Sequence, residues 1–170
     1  MSSSTDDSKQ ISIMQENREI LQEFAFFSAL PVKAIKLLAF VAERQHFNTK
    51  DTLFEEGDDY GRAYIILTGE LTLMKKNQTK QNVVQHFHQG DLLGTFSLLG
   101  VMPSLFLLKA SSDTTVLTIA REHFTKIQEQ FPEATALSLK ALLREVYQWE
   151  RRNLTKAEIC CLNQTGATIL

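Results

Sequence analysis

The chain has 170 residues, of which 44% are hydrophobic and 22% charged, and its formal net charge at pH 7 is −2. This length suits one domain with a substantial core and is short for two. The slightly acidic balance gives no electrostatic reason to expect nucleic acid as a partner. No apolar run approaches the roughly 18 residues that a spanning helix needs, so membrane insertion is not expected.

The N-terminal part of the chain changes character after its first ten residues. Residues 1–10 are rich in Ser and Asp, and we expect them to form a disordered tail because they have almost nothing to bury. They also lack the apolar core of a signal peptide, which makes the cytoplasm the expected location. Apolar residues then recur at helical intervals from Ile11 to Phe27, and Pro31 suits the first turn of a second helix. The pattern predicts N-terminal helices over residues 11–46.

Short strands separated by turn residues replace the helical pattern from residue 47 onward. About eight of them, with Gly-rich turns between, predict an antiparallel β-roll of the jelly-roll type over residues 47–120. C-terminal helices are predicted over 121–154, the last of them long, and 155–170 is expected to be a flexible tail. The fold class is therefore α+β, with residues 11–154 as one domain.

The long last helix has an apolar seam with heptad spacing. Its members step by three, four, three and four residues, the pattern of a and d positions in a coiled coil. They are Leu139, Leu142, Val146, Trp149 and Asn153. We expect part of this seam to cover the β-roll and its distal part to meet a second subunit.

The stretch from Gly90 to Ala110 reads GDLLGTFSLLGVMPSLFLLKA. It closely resembles the phosphate-binding cassette of the cyclic nucleotide-binding domain family, which typically reads G-D-x-F-G-E-x-A-L-L-x-x-x-P-R-[ST]-A-x-V-x-A. The matches include Gly94 and Pro103, and further motifs agree in order over about residues 21–154. The resemblance implies the family's β-roll, with helices on either side of it.

The residues that carry the ligand chemistry in this family are replaced. Thr95 stands where the family has the Glu that accepts a hydrogen bond from the ribose, and Ser104 stands where it has the Arg that pairs with the phosphate. Leaving a buried anion without its partner costs about 3–5 kcal/mol. We therefore expect no useful binding of cAMP or cGMP. Lys109 is the nearest cation that could replace the Arg.

Leu105 and Leu107 make both sides of the segment after Ser104 apolar, where the family alternates polar and apolar residues. Exposed leucines are unfavourable, so we expect both to be covered. They could fill the former nucleotide pocket, pack under the last helix or form a partner surface. The predicted vestigial pocket consists of Gly94, Thr95, Ser97, Pro103, Ser104, Leu105 and Leu107.

Other chemistry has little support in the sequence. His86 and His88 share one strand face as a possible pair of metal ligands, but ordinary surface histidines are the favoured interpretation, so no metal or cofactor is expected. Cys160 and Cys161 are interpreted as reduced thiols. No nucleophile–base pair or phosphate loop is present, which argues against an enzyme. The 16 residues after Leu154 are too few for a helix-turn-helix domain, so DNA binding is not expected.

The leading hypothesis is a regulatory or protein-interaction module that acts as a homodimer or as a subunit of a larger assembly. The alternative is a small-molecule sensor for a non-standard ligand, such as a less anionic molecule or a cyclic dinucleotide. An open cavity beside Thr95 and Ser104 would favour the sensor.

Overall fold

The structure is a computed structural model that describes residues 3–77 and 80–154. Three helices come first: α1 (Ser3–Gln22), α2 (Ala25–Ser28) and α3 (Val32–Val41). The roll and the remaining helices follow as β1 (Glu43–Phe47), β2 (Thr52–Phe54), β3 (Arg62–Thr68), β4 (Glu70–Asn77), β5 (Lys80–His88), β6 (Leu92–Leu93), α4 (Thr95–Leu99), β7 (Leu107–Ala110), β8 (Thr114–Ala120), α5 (Arg121–Gln130) and α6 (Glu133–Leu154).

The eight strands form two four-stranded sheets. Their orders are β1-β8-β3-β6 and β2-β7-β4-β5, and every pairing is antiparallel. Neighbours in a sheet are often far apart in sequence, as in a jelly roll, where strands cross between the sheets. The predicted α+β fold, with an antiparallel roll of eight strands and flanking helices, is confirmed.

Strand β3 separates two hydrophobic cores. Because successive side chains of a strand point to opposite faces, Ala63 and Ile65 pack with the helices while Tyr64 and Ile66 face the inside of the roll. The helical core is built around Phe26, Phe27 and Phe124, which are fully buried. A strand buried on both faces explains the continuous apolar run Tyr64-Ile65-Ile66 in place of an alternating pattern.

Two boundaries near the N-terminus differ from the sequence-based expectation. Helix α1 begins at Ser3, so the expected disorder of residues 1–10 is wrong for residues 3–10. The N-terminal helices end at Val41 instead of residue 46, because residues 43–47 pair with β8 as an edge strand.

The last residues of the chain, 155–170 with Cys160 and Cys161, lie outside the described residues. Among the described residues, no helix combines the length and the apolarity that crossing a membrane requires.

Phe124 of α5 is the test of the helical core. It is fully buried and stacks on Phe26 with ring centroids 5.7 Å apart. Phe124→Ala should lower the free energy of unfolding by about 3–5 kcal/mol, since it removes a large side chain and leaves a cavity. Phe40→Ala is the matched control, because Phe40 is 64% exposed and should change stability by only about 0.5 kcal/mol. Urea unfolding of both variants measures this, and equal losses would contradict the assignment of the core.

Candidate functional site

The segment that resembles the phosphate-binding cassette begins at Gly94, where the backbone is left-handed with φ of 83°. A Cβ at this position would collide with the carbonyl oxygen of Arg62, so the turn requires glycine. Helix α4 then buries Thr95 and Ser97. The Ser97 hydroxyl oxygen lies 2.7 Å from the carbonyl oxygens of both Gly94 and Arg62, which holds the helix against β3.

Ser104, which stands in the place of the family's arginine, is engaged within the protein. Its backbone N–H donates to the Asp58 carbonyl at 2.9 Å, and its own carbonyl accepts from the Gly57 N–H at 2.8 Å. Its hydroxyl donates to the Phe106 carbonyl at 2.8 Å and accepts from the Phe106 N–H at 3.1 Å. These bonds fix the cassette loop to the turn between β2 and β3 and use the polar atoms of Ser104.

Lys75 of β4 is the cation beside this loop. Its ammonium group donates to the Leu105 carbonyl at 2.8 Å and pairs with the Glu56 carboxylate at 2.6 Å. It also lies 5.7 Å from the centre of the Phe106 ring. The charge of Lys75 is therefore neutralised by the protein. The sequence contains a pattern that could have identified this residue. Leu71, Leu73 and Lys75 lie on one face of β4, and Lys75 is the only charged residue of the three.

Arg121, the first residue of α5, ties the other end of the cassette. Its guanidinium forms a two-pronged pair with Asp59, with Nη1 2.7 Å from Oδ2, and its Nε donates to the Ser97 carbonyl. The Met102 N–H also donates to Asp59, at 3.4 Å. The hydrogen bond from Arg121 lowers the pKa of Asp59 below its usual value, and the same bond raises the pKa of Arg121. This cluster was not identified from the sequence.

The expectation that Leu105 and Leu107 are both covered is half correct. Leu107 is buried, whereas Leu105 is 67% exposed, because strand β7 begins only at Leu107 and Leu105 lies on the loop before it. Leu108 and Ala110 are the residues of β7 that join the core inside the roll. Leu107 therefore points to the opposite face, so neither leucine fills the inside of the roll.

Lys109 shares that outward face, where it pairs in register with Thr72 of β4 and Thr52 of β2. On this face it points away from the inside of the roll, which does not favour Lys109 as a replacement for the missing arginine. Pro103 lies exposed on the loop. Of the predicted vestigial pocket, Gly94, Thr95 and Ser97 lie together at the start of α4, while Ser104 and Leu105 lie on the loop before β7 and Leu107 is buried in that strand.

Aromatic rings occupy the inside of the roll next to Gly94. Tyr60 stacks on Phe54 with centroids 4.0 Å apart and an interplanar angle of 8°. Tyr64 follows at 6.4 Å from Phe54, and burial raises the pKa of its hydroxyl to about 12. Burial also raises the pKa of Tyr60. These rings leave an apolar interior in which a charged group would be strongly disfavoured.

The predicted seam on α6 divides between the core and the surface. Leu142 is 5% exposed and belongs to the helical core, so it lies in the part of the seam that covers the domain and is not available to an interface. Its burial follows the helical period of 3.6 residues, with Ala134, Ser138 and Ala141 on the same face. Leu139 and Trp149 are exposed, and Val146 is half-buried. The side chain of Asn153 lies outside the described residues.

The outer face of α6 carries an apolar stripe of Leu139, Leu143 and Tyr147. These side chains follow one another at intervals of four residues, and each is about half exposed or more. Residues four apart on a helix are neighbours on its surface. The stripe is therefore continuous over two turns.

A groove of 820 Å³ separates α6 from the start of the cassette. Its walls include Phe24, Thr95, Phe96, Val146 and Trp149. Glu145 also lines it, and burial raises the pKa of its carboxyl. The open space beside Thr95 that would favour a sensor is present, although Ser104 does not line it.

His86 and His88 lie on one strand face, as the spacing predicts. Each places Nδ1 near the Glu70 carboxylate, at 2.7 and 3.9 Å respectively. Within the part of the chain that the structure describes, no group of three or more His, Cys, Asp or Glu side chains has a geometry that could hold a metal ion.

The eight-stranded roll, its flanking helices and the short helix that follows Gly94 define a β-roll domain. Comparison with known proteins gives its family. Residues 44–131 match the cyclic nucleotide-binding domain. The chain belongs to the cyclic nucleotide-binding domain family. A solved cyclic nucleotide-binding-like protein from Brucella abortus is 31% identical, with 67% of this chain and 98% of that one covered and a TM-score of 0.62.

Two curated relatives are longer proteins. A lysophospholipase nte1 from Neurospora crassa is 28% identical over 56% of this chain. A cAMP-dependent protein kinase regulatory subunit from Hypocrea atroviridis is 27% identical over 67% of it. The chain spans only 6% and 23% of the lengths of these relatives.

Asp59→Asn tests the Arg121 cluster through pH. The folded-state pKa of Asp59 is lowered, so its contribution to stability is present above the unfolded pKa of about 3.9 and is lost as the pH falls through the folded value. The variant should melt several degrees below the wild type at pH 7, and this difference should shrink toward pH 3. Glu129→Gln, which removes an exposed carboxylate from α5, the helix that Arg121 begins, is the control. A melting-temperature difference that does not depend on pH would contradict the assignment.

Proposed function

We propose that this chain is a non-enzymatic regulatory module of the cytoplasm that acts through protein contacts and does not respond to cAMP or cGMP. The observation that carries the proposal is that the polar and charged groups at the Ser104 end of the cassette already bond to one another. The hydroxyl of Ser104 is bonded within its own loop, and Lys75 is paired with Glu56. A ligand would have to break these contacts before it could make its own.

Charge supports the same conclusion. A cyclic phosphate needs a cation, and the two arginines that lie beside Gly94 and Ser97 already have carboxylate partners. Arg62 lies 3.7 Å from Glu43, and Arg121 is held by Asp59. A buried anion without a counter-charge costs about 3–5 kcal/mol, which corresponds to a loss of roughly two to three and a half decades in affinity.

A regulatory role is supported by the relative named as a regulatory subunit of a protein kinase, of which this chain matches about a quarter. The proposed contact surface is the stripe of Leu139, Leu143 and Tyr147 on α6. An exposed apolar stripe on a long helix is suited to pairing with a second helix. We propose a homodimer, or a subunit of a larger assembly, that uses this face.

The groove between α6 and the cassette favours a second candidate function. Its volume of 820 Å³ falls within the range of small-molecule sites, about 300–1,000 Å³, and its walls are mostly apolar. A ligand less anionic than a cyclic nucleotide could bind there and alter the position of α6. This would make the domain a sensor with an altered ligand.

Titration with cAMP and cGMP tests the first part of the proposal. Isothermal titration of the full chain should show no saturable binding at sub-millimolar nucleotide, because Ser104 offers the phosphate no charge and Lys75, Arg62 and Arg121 are already paired with carboxylates. A dissociation constant in the low micromolar range would contradict the proposal and favour the sensor.

Restoring the family's residues by Thr95→Glu with Ser104→Arg is the companion experiment. We expect the double variant to melt below the wild type and to remain inert toward cAMP. The reason is that Thr95 is only 8% exposed, so a longer and charged side chain at this position would be overpacked and poorly hydrated. Tight nucleotide binding by a stable double variant would show that the site lacks only these two groups.

Light scattering after size-exclusion chromatography tests the α6 interface. The wild type should be a dimer at tens of micromolar, and Leu143→Asp should give a monomer because it places a charge in the apolar stripe. Thr125→Asp adds the same charge to an exposed position of α5 and should leave the dimer intact. A monomeric wild type, or a dimer that survives Leu143→Asp, would exclude this interface.

A further inference from the structure

A second groove lies on the N-terminal face, away from the cassette. We call it the α1–α3 groove. It has a volume of 570 Å³ and is lined mainly by Met14, Lys33, Lys36, Leu37, Phe40 and Phe131. Met14 and Lys36 also line an adjoining pocket of 240 Å³, together with Gln15, Arg18 and Ala39.

Positive charge gathers at this groove without compensation. Arg18, Lys33 and Lys36 line the two spaces, and neither space is lined by Asp or Glu. No ion pair joins these cations to a carboxylate among the described residues. The local charge therefore contrasts with the net charge of −2 for the whole chain.

The acidic residues on α1 nearest to Arg18 are committed elsewhere. Glu16 pairs with Arg44 at 2.9 Å, and Glu19 accepts a hydrogen bond from Gln15 at 2.7 Å. The Nε of Arg18 is buried and has no hydrogen-bond partner. Because that Nε is closed to solvent, an anion in the pocket can contact Arg18 only through the other N–H groups of its guanidinium.

The rest of the groove is apolar and partly open to solvent. Phe40 is 64% exposed and Leu37 is 36% exposed, while Met14 and Phe131 are half-buried. Large exposed apolar groups next to one another are uncommon unless they contact something. A hydrocarbon chain laid along these four residues would cover them.

We propose that the α1–α3 groove binds a single-chain amphiphile with an anionic head, taken up as a monomer. The head lies between Arg18 and Lys36 and accepts hydrogen bonds from the ammonium group of Lys36 and from the guanidinium of Arg18. The tail lies along Met14, Leu37 and Phe40. The groove has the volume of a small-molecule site, and its uncompensated charge selects an anion.

Titration with dodecanoate below its critical micelle concentration tests the head group. Dodecanoate should bind the full chain saturably with one site, whereas dodecyltrimethylammonium, with the same tail and the opposite charge, should not bind. Lys36→Gln should weaken dodecanoate binding by about tenfold through the loss of one charge-assisted contact. Lys126→Gln, the same change on the exposed surface of α5, should leave the affinity unaltered.

Phe40→Ser tests the tail. The site is exposed, so the variant should fold normally, which urea unfolding checks, and it should weaken dodecanoate by roughly tenfold or more. Equal binding of the two detergents, or unchanged affinity in both Lys36→Gln and Phe40→Ser, would overturn the proposal.

Two further outcomes would also overturn it by assigning another occupant. If the protein sediments with vesicles of anionic lipid but does not bind monomeric dodecanoate, the groove contacts a membrane surface. If Lys36→Gln and Phe40→Ser instead reduce the mass seen by light scattering, the groove is a contact between copies of the chain. Neither result is expected.

Discussion

The pair between Arg121 and Asp59 joins three parts of the fold that are far apart in sequence. Asp59 belongs to the turn before β3, Arg121 opens α5, and the same guanidinium reaches the Ser97 carbonyl in the cassette helix. The Arg121 N–H also donates to the Gly61 carbonyl at 2.8 Å, which fixes the start of α5 against that turn. Because arginine keeps its proton at all accessible pH values, this cluster depends on Asp59 remaining ionised. Contacts within the protein therefore fix the position of α4, and no bound ligand is needed to hold it.

The other end of the cassette is held by a second charge pair. Lys75 pairs with Glu56 and donates a hydrogen bond to the Leu105 carbonyl. The backbone N–H and carbonyl of Ser104 bond to Asp58 and Gly57 in the turn between β2 and β3. The Lys75–Glu56 pair is exposed and contributes little on its own. The polar groups of Ser104 are nevertheless all hydrogen-bonded within the protein, so none is free to bind a phosphate. A loop organised by its own contacts has a smaller change to make on binding, and hence a smaller response to a ligand.

The parts of the fold that could be predicted from sequence are those fixed by local chemistry. Turn residues and alternation located the strands, and Gly94 was recognisable from the resemblance to the family's cassette; its left-handed backbone then explains why glycine is required there. Strand β1 was missed because it depends on pairing with β8, which no local pattern records. Leu105 was wrongly expected to be covered because alternation was extended past the true start of β7. On α6, the heptad spacing located the apolar seam but not the point where it leaves the core; the structure buries Leu142 and exposes Leu139 and Trp149.

The functional features that sequence reasoning missed all arise from tertiary contacts. Arg121 and Asp59 are separated by 62 residues, and the unsatisfied Nε of Arg18 becomes apparent only once α1 is packed. Helix α5 is the element these features share. It contacts α4 of the cassette, α3 and α6, and its residues Phe124 and Ile127 lie in the same core as Leu38 and Ala39 of α3. Packed cores move as units and do not deform smoothly. A displacement of α5 would therefore also displace the residues packed against it in α4, α3 and α6.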